Sequence, residues 1–159
     1  MKKLIFNLSL LSLLFLSGCN TDNDNSQRKG TLIFGWFTDS NCSGDCSTIY
    51  KIDTQNVYKN IDNNFQEKTF FEGNFQLMNN ADYQDYKSLI IELPIEIFNE
   101  PNGFLDCTEC TNDNGGFYIE YQGNDGFHKS WRFRNAKYPD YLKNYRSLLL
   151  DKLAKLNNL

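Results

Sequence analysis

Apolar residues recur along this chain with two periods, and polar stretches separate them. Residues 31–37 form a β-rich run ending in the turn chemistry of Thr38, Asp39, Ser40 and Asn41, and residues 47–52 predict a second strand. Residues 56–59 and 68–71 predict two more short strands, with 74–77 extending the latter. The rhythm then changes. Asn79 and Asn80 offer an N-cap, Asp82 and Asp85 suit a positive first turn, and Tyr83, Tyr86, Leu89, Ile90 and Leu93 recur at helical spacing up to Pro94. Residues 95–98 extend this helix by a turn before Pro101, Asn102 and Gly103 end it.

Residues 116–121 and 129–134 alternate as half-buried strands do, and Gly123, Asn124, Asp125 and Gly126 between them predict a hairpin. Pro139 suits a first helical turn. After it, Tyr141, Leu142, Tyr145, Leu148, Leu149, Leu153 and Leu156 make one apolar face, with Lys143, Arg146, Lys152 and Lys155 outside it. The expected fold class is α+β: an antiparallel sheet of short strands and hairpins with two amphipathic helices packed on one face. No βαβ pattern suggests a parallel sheet.

The N-terminal segment belongs to a different chemistry. Lys2 and Lys3 form a positive region, residues 4–15 an apolar run interrupted by Asn7, Ser9 and Ser12, and Leu16, Ser17, Gly18 and Cys19 follow. The run is too short for a stable bilayer-spanning helix, and the small residues before Cys19 suit a signal peptidase groove. The pattern resembles the lipobox of bacterial lipoproteins. That resemblance implies cleavage after Gly18, diacylglyceryl modification of Cys19 and N-acylation by a chain such as palmitate, which together make a near-permanent anchor. Residues 20–29 carry no apolar side chain and read as a tether. The expected organisation is therefore a signal peptide over 1–18, an acylated tether over 19–29 and one globular domain over 30–159. Asn20, rather than Asp, resembles the Gram-negative signal for the outer membrane, and Asp22 and Asp24 resemble the acidic surface-export signals of Bacteroidetes lipoproteins. Both the periplasmic face and the cell surface stay open.

Charge narrows the partners. The chain carries 16 Lys+Arg against 20 Asp+Glu, a net −4, and losing Lys2 and Lys3 on cleavage moves this to −6. No basic block exists to track a phosphate backbone, so nucleic acid is not an expected partner. The expected partners are the membrane, through the N-terminal lipid, and an envelope protein or glycan. Thirteen Phe, nine Tyr and two Trp supply a dense core for a domain of this size.

Without Cys19, the cysteines are Cys42, Cys46, Cys107 and Cys110, an even number in a chain expected to be exported, and disulfides are the usual outcome. Four cysteines allow three pairings. A four-thiolate zinc site is the competing reading, but it would carry net −2 beside Asp45, Asp106 and Glu109. Copper finds no thioether cluster. A redox role for Cys107 and Cys110 fits poorly with their acidic flanks. Asp106, Glu109, Asp113 and Asn114 match no calcium-loop spacing and read as turn chemistry. The lone His128 reads as a solvated residue at a strand start, and Trp36 and Trp131 read as core rather than as a sugar platform. No catalytic residue and no cofactor are expected.

Gly35, the loop of Cys42, Ser43, Gly44, Asp45 and Cys46, then Tyr50, residues 113–120, residues 129–132 and Pro139 before a helix resemble a family of Bacteroidetes lipoproteins, flavobacterial ones especially. The domain of that family is marked by a Cys-x-Gly-x-Cys loop, with Ser47 here in place of the usual Pro. The resemblance implies a small envelope-anchored α+β domain and carries over no catalytic residue. Two function classes follow. The first is a non-enzymatic lipoprotein with a binding or interaction domain. The alternative is a thiol-dependent module that binds zinc or handles redox equivalents through Cys42/Cys46 and Cys107/Cys110.

Overall fold

In the computed structural model, residues 28–38, 42–43, 46–62, 65, 68–106 and 115–159 are described. They form an α+β fold around one seven-stranded sheet. The strands are β1 (Gly30–Phe37), β2 (Ser47–Ile52), β3 (Val57–Asn60), β4 (Phe75–Leu77), β5 (Gly103–Phe104), β6 (Gly116–Gly123) and β7 (His128–Phe133), in the order β4-β3-β2-β1-β6-β7-β5. Every neighbouring pair is antiparallel except β5 with β7, which run parallel for two residues. This short edge pairing is absent from the sequence reading because two residues carry no periodicity.

The sheet is covered on both faces, which explains why β1 reads as a nearly continuous apolar run rather than a clean alternation. One set of alternate positions, among them Leu32, Phe34, Tyr50, Ile52, Ile119, Trp131 and Phe133, joins the larger core cluster with the buried residues of the helical segments. The other set, Ile33, Phe37, Ile49 and Tyr118, forms a second cluster with Phe71, against which Phe65, Phe75 and Phe104 pack. Gly35 marks a close approach of β1 to β2. A β-carbon there would lie 2.0 Å from Thr48 O and 2.9 Å from Ile49 Cα, so no other residue fits without moving backbone.

The predicted helix after Asn79 is instead two single turns, α1 (Tyr83–Tyr86) and α2 (Ser88–Ile91). Its cap is Asp82, whose carboxylate accepts from Gln84 N at 2.9 Å, while Asn79 and Asn80 lie in a preceding turn. Pro94 lacks the N–H needed to continue, and Ile95–Asn99 resumes as a 3-10 turn. The apolar spacing still holds: Tyr86, Leu89, Ile90 and Leu93 are buried and Tyr83 is half-buried. At the C-terminus, Pro139 sits just before a 3-10 turn, Asp140–Leu142, that leads into α3 (Lys143–Asn157). The buried side of α3 carries Tyr145, Leu149, Leu153 and Leu156, and Leu148 is half-buried. Two tyrosine hydroxyls tie it down: Tyr145 donates to Leu89 O at 2.9 Å and Tyr50 to Asn157 Oδ1 at 2.7 Å.

The predicted strand at 68–71 does not form. These residues lie over the second face of the sheet, and their backbone polar groups are met by side chains of β6 and β7 instead of by a neighbouring strand. The predicted hairpin is present, with β6 running to Gly123 and Gly126 taking the positive φ of +86° that the turn requires.

Candidate functional site

The hairpin register creates a polar cluster under residues 68–71. Gln122 pairs with His128 and Glu120 with Ser130, so Tyr118, Glu120, His128, Ser130 and Arg132 all project from one face of two adjacent strands. Glu120 is 5% exposed, and its carboxylate is surrounded by polar groups. Oε2 accepts from Phe71 N at 2.8 Å and from the Tyr118 hydroxyl, while Oε1 lies 2.7 Å from His128 Nε2. Ser130 Oγ donates to Thr69 O and Arg132 donates to Lys68 O. Phe70 stacks on the His128 ring with centroids 3.7 Å apart.

Four side chains thus hold residues 68–71 as they would an extended peptide. His128 is a correction to the sequence reading: it is half-buried, stacked and paired with a buried carboxylate rather than solvated. The signal was present in the chain. A Glu in the middle of an apolar strand, placed by the turn length diagonally across from a His, predicts a shared face.

Burial governs the tyrosines, here and elsewhere in the fold. Burial first, then the Glu120 charge and the hydrogen bond to it, push Tyr118 well above the usual phenol range. Burial also raises Tyr145, burial with Tyr86 pushes Tyr50 up to about 12, and burial with Glu100 raises Tyr141. The folded state keeps these protons while unfolded tyrosines release theirs near pH 10, so between those values the unfolded chain binds fewer protons. Stability is fully present below about pH 10 and is lost as pH rises through the folded values. The share of the 295 nm absorbance rise that comes from Tyr50, Tyr118, Tyr141 and Tyr145 should therefore appear together with loss of circular dichroism. Independent titration of all nine tyrosines near pH 10 with the fold retained would contradict the burial described here.

A second feature is an open cleft of about 420 Å³ between the start of β1, the 3-10 turn after α2 and the β6–β7 hairpin, lined by Arg28, Lys29, Ile95, Phe98, Tyr121 and Phe127, with Asp125 at its rim. Phe98 meets Tyr121 edge-on at 5.4 Å and Phe127 at 5.2 Å, giving an aromatic floor. Arg28 lies 4.8 Å over the Phe98 ring and donates to Leu93 O, and burial lowers its pKa from the usual guanidinium range. Lys129 Nζ donates to Phe98 O and Glu100 O at 2.8 Å each, and Asn102 Oδ1 accepts from Ser130 N at 2.9 Å, fixing this segment to β7. Arg28 and Phe98 were missed in the sequence because nothing local marks residues so far apart as neighbours.

Cys42 and Cys46 lie with Cα atoms 5.5 Å apart and their sulfurs joined as a disulfide. Cys19, Cys107 and Cys110 fall outside the described residues, as do Glu109, Asp113 and Asn114, while Asp106 is exposed in a left-handed conformation with φ +53°. Trp131 is fully buried, and Trp36 is half-buried against the same core. Among the described residues no group of three or more His, Cys, Asp or Glu side chains is placed to hold a metal ion, and no helix is long and apolar enough to cross a membrane. No protein-family model, curated protein or solved structure matches the chain.

Proposed function

We propose that the protein is a lipid-anchored component of the bacterial cell envelope, held at the outer membrane through acylated Cys19, whose α+β domain is a non-enzymatic binding module. The observation that carries this reading is the succession of Lys2 and Lys3, the apolar run 4–15 and the sequence Leu16, Ser17, Gly18, Cys19. The cleft bounded by Phe98, Tyr121 and Phe127 supplies the binding surface, since it is concave, largely apolar and carries a few charged groups at its rim. The chemistry of the polar cluster supports a non-catalytic role. Ser130 is 1% exposed and its hydroxyl is spent on Thr69 O rather than on His128, so these two do not form a nucleophile and base pair.

Metabolic labelling with a clickable fatty acid tests the anchor. The wild type should be tagged and should sediment with membranes, and Cys19→Ala should lose both properties. Labelling that survives in the variant would place the anchor elsewhere.

The thiol-dependent alternative makes the opposite forecast in a second experiment. Sulfurs joined in a disulfide are not metal ligands, so the Cys42–Cys46 geometry supports a structural role for that pair. A short disulfide loop contributes about 1 to 3 kcal/mol, whereas a structural zinc site contributes about 10 kcal/mol or more to folding. A strong chelator should therefore leave the melting temperature unchanged, and a reductant should lower it modestly. Unfolding by the chelator alone would install the zinc reading instead.

A further inference from the structure

Positive charge collects around the aromatic cleft, although the chain as a whole carries net −4. Arg28 and Lys29 line it directly, and Tyr121 fixes their backbone by donating to Lys29 O at 2.9 Å. The Arg28 guanidinium lies 4.8 Å over the Phe98 ring, and β7 adds Lys129, whose Nζ lies 5.6 Å from the Phe127 centroid. Lys129 is held by the carbonyls of Phe98 and Glu100, neutral acceptors that leave its charge in place. Asp125 is the one carboxylate among the described lining residues, and its Oδ1 is engaged by Phe127 N at 3.0 Å. The carboxylates of Glu96 and Glu100 act on Tyr141, whose hydroxyl donates to Glu100 Oε1 at 3.2 Å, and neither lines the cleft.

The walls are apolar. Ile95 is 51% exposed at the cleft, beside half-buried Phe98 and Phe127, and the volume of about 420 Å³ falls within the range of small-molecule sites, about 300 to 1,000 Å³. A second depression has Asp106, Asp140, Lys137 and Lys143 as its charged lining residues, so its charges balance. The other exposed apolar side chains, Ile61, Leu77, Leu150 and Leu159, line neither. Only the first cleft joins an excess of cations to an apolar floor. A ligand that answers both features buries an apolar body on that floor and sets an anionic group among the cations.

We propose that the cleft binds a small organic anion with an apolar body, a carboxylate carried on an aromatic ring or a short acyl chain, with the anionic group at Lys29 and the body against Ile95 and Phe127. This inference rests on the reading of the cleft as the binding surface of the module and deepens it by naming the class of ligand. It does not depend on the lipid anchor.

The test is titration calorimetry of the full-length protein in detergent, with protein-free micelles as the blank and four probes: phenylacetate, its neutral amide phenylacetamide, the cation phenethylammonium, and octanoate. Phenylacetate should bind about tenfold more tightly than phenylacetamide or phenethylammonium. Whichever of phenylacetate and octanoate binds more tightly identifies the body as a ring or an acyl chain. Lys29→Glu and Ile95→Glu, both at exposed positions, should each weaken the favoured anion by about fivefold or more, and Leu77→Glu should leave it unchanged. Equal affinity for the anion, the amide and the cation, lost in Ile95→Glu, would overturn the anionic class and leave the cleft as the binding surface. Absence of any binding that responds to Ile95→Glu would overturn both.

Discussion

Truncation before Pro139 should leave a chain that does not fold. The deleted residues include Leu142, Tyr145, Leu149, Leu153 and Leu156, each no more than 3% exposed and all in the larger core cluster. Full burial of such a side chain contributes about 1.5 to 3 kcal/mol, so the five together supply about 8 to 15 kcal/mol. That matches the whole net stability of a typical domain, about 5 to 15 kcal/mol. The loss also takes from the larger core cluster the side chains that α3 shares with apolar residues of β1, β2, β6 and β7, and removes the hydrogen bonds of Tyr145 to Leu89 and of Tyr50 to Asn157. Circular dichroism and thermal melting of the truncated chain check this. A cooperative transition there would show that α3 is an accessory to a core that stands without it.

Glu120→Ala should be the most damaging single substitution on the other face. It removes the acceptor for Phe71 N and the Tyr118 hydroxyl and takes away the partner of His128 Nε2. Each buried polar group left unmet costs about 1 to 3 kcal/mol, so the expected loss is about 3 kcal/mol or more. Glu120→Gln, which keeps an acceptor oxygen, should cost clearly less. His128→Ala should also cost less, because that side chain is 31% exposed and Glu120 keeps its other two donors. Urea unfolding of the three variants gives the order. A Glu120→Ala variant within about 0.5 kcal/mol of wild type would mean that these bonds do not hold residues 68–71 on the sheet.

Strong periodicity made much of this architecture legible in the sequence. The β6–β7 hairpin was readable because alternating strands flank a turn rich in Gly, Asn and Asp, and α3 because Tyr145, Leu149, Leu153 and Leu156 repeat at helical spacing over about three turns. The segment before Pro94 was legible only in part. Its apolar spacing identified the buried residues, yet spacing alone does not distinguish one long helix from two single turns followed by a 3-10 turn. Residues 68–71 were misread because two adjacent Phe look like strand propensity. Their conformation is set by long-range contacts, Phe71 with Glu120 and Phe70 with His128, that no local pattern encodes. The cleft was invisible for the same reason: Arg28, Phe98 and Phe127 meet only after the sheet has formed.

The central claim, that this domain is carried on an acylated Cys19 at the envelope, is most directly tested by the intact mass of the protein extracted from membranes of a Gram-negative host. The account predicts a polypeptide that begins at Cys19 and exceeds the bare 19–159 chain by a diacylglyceryl group and one further acyl chain. A polypeptide that retains Met1, or one with an unmodified Cys19, would contradict it.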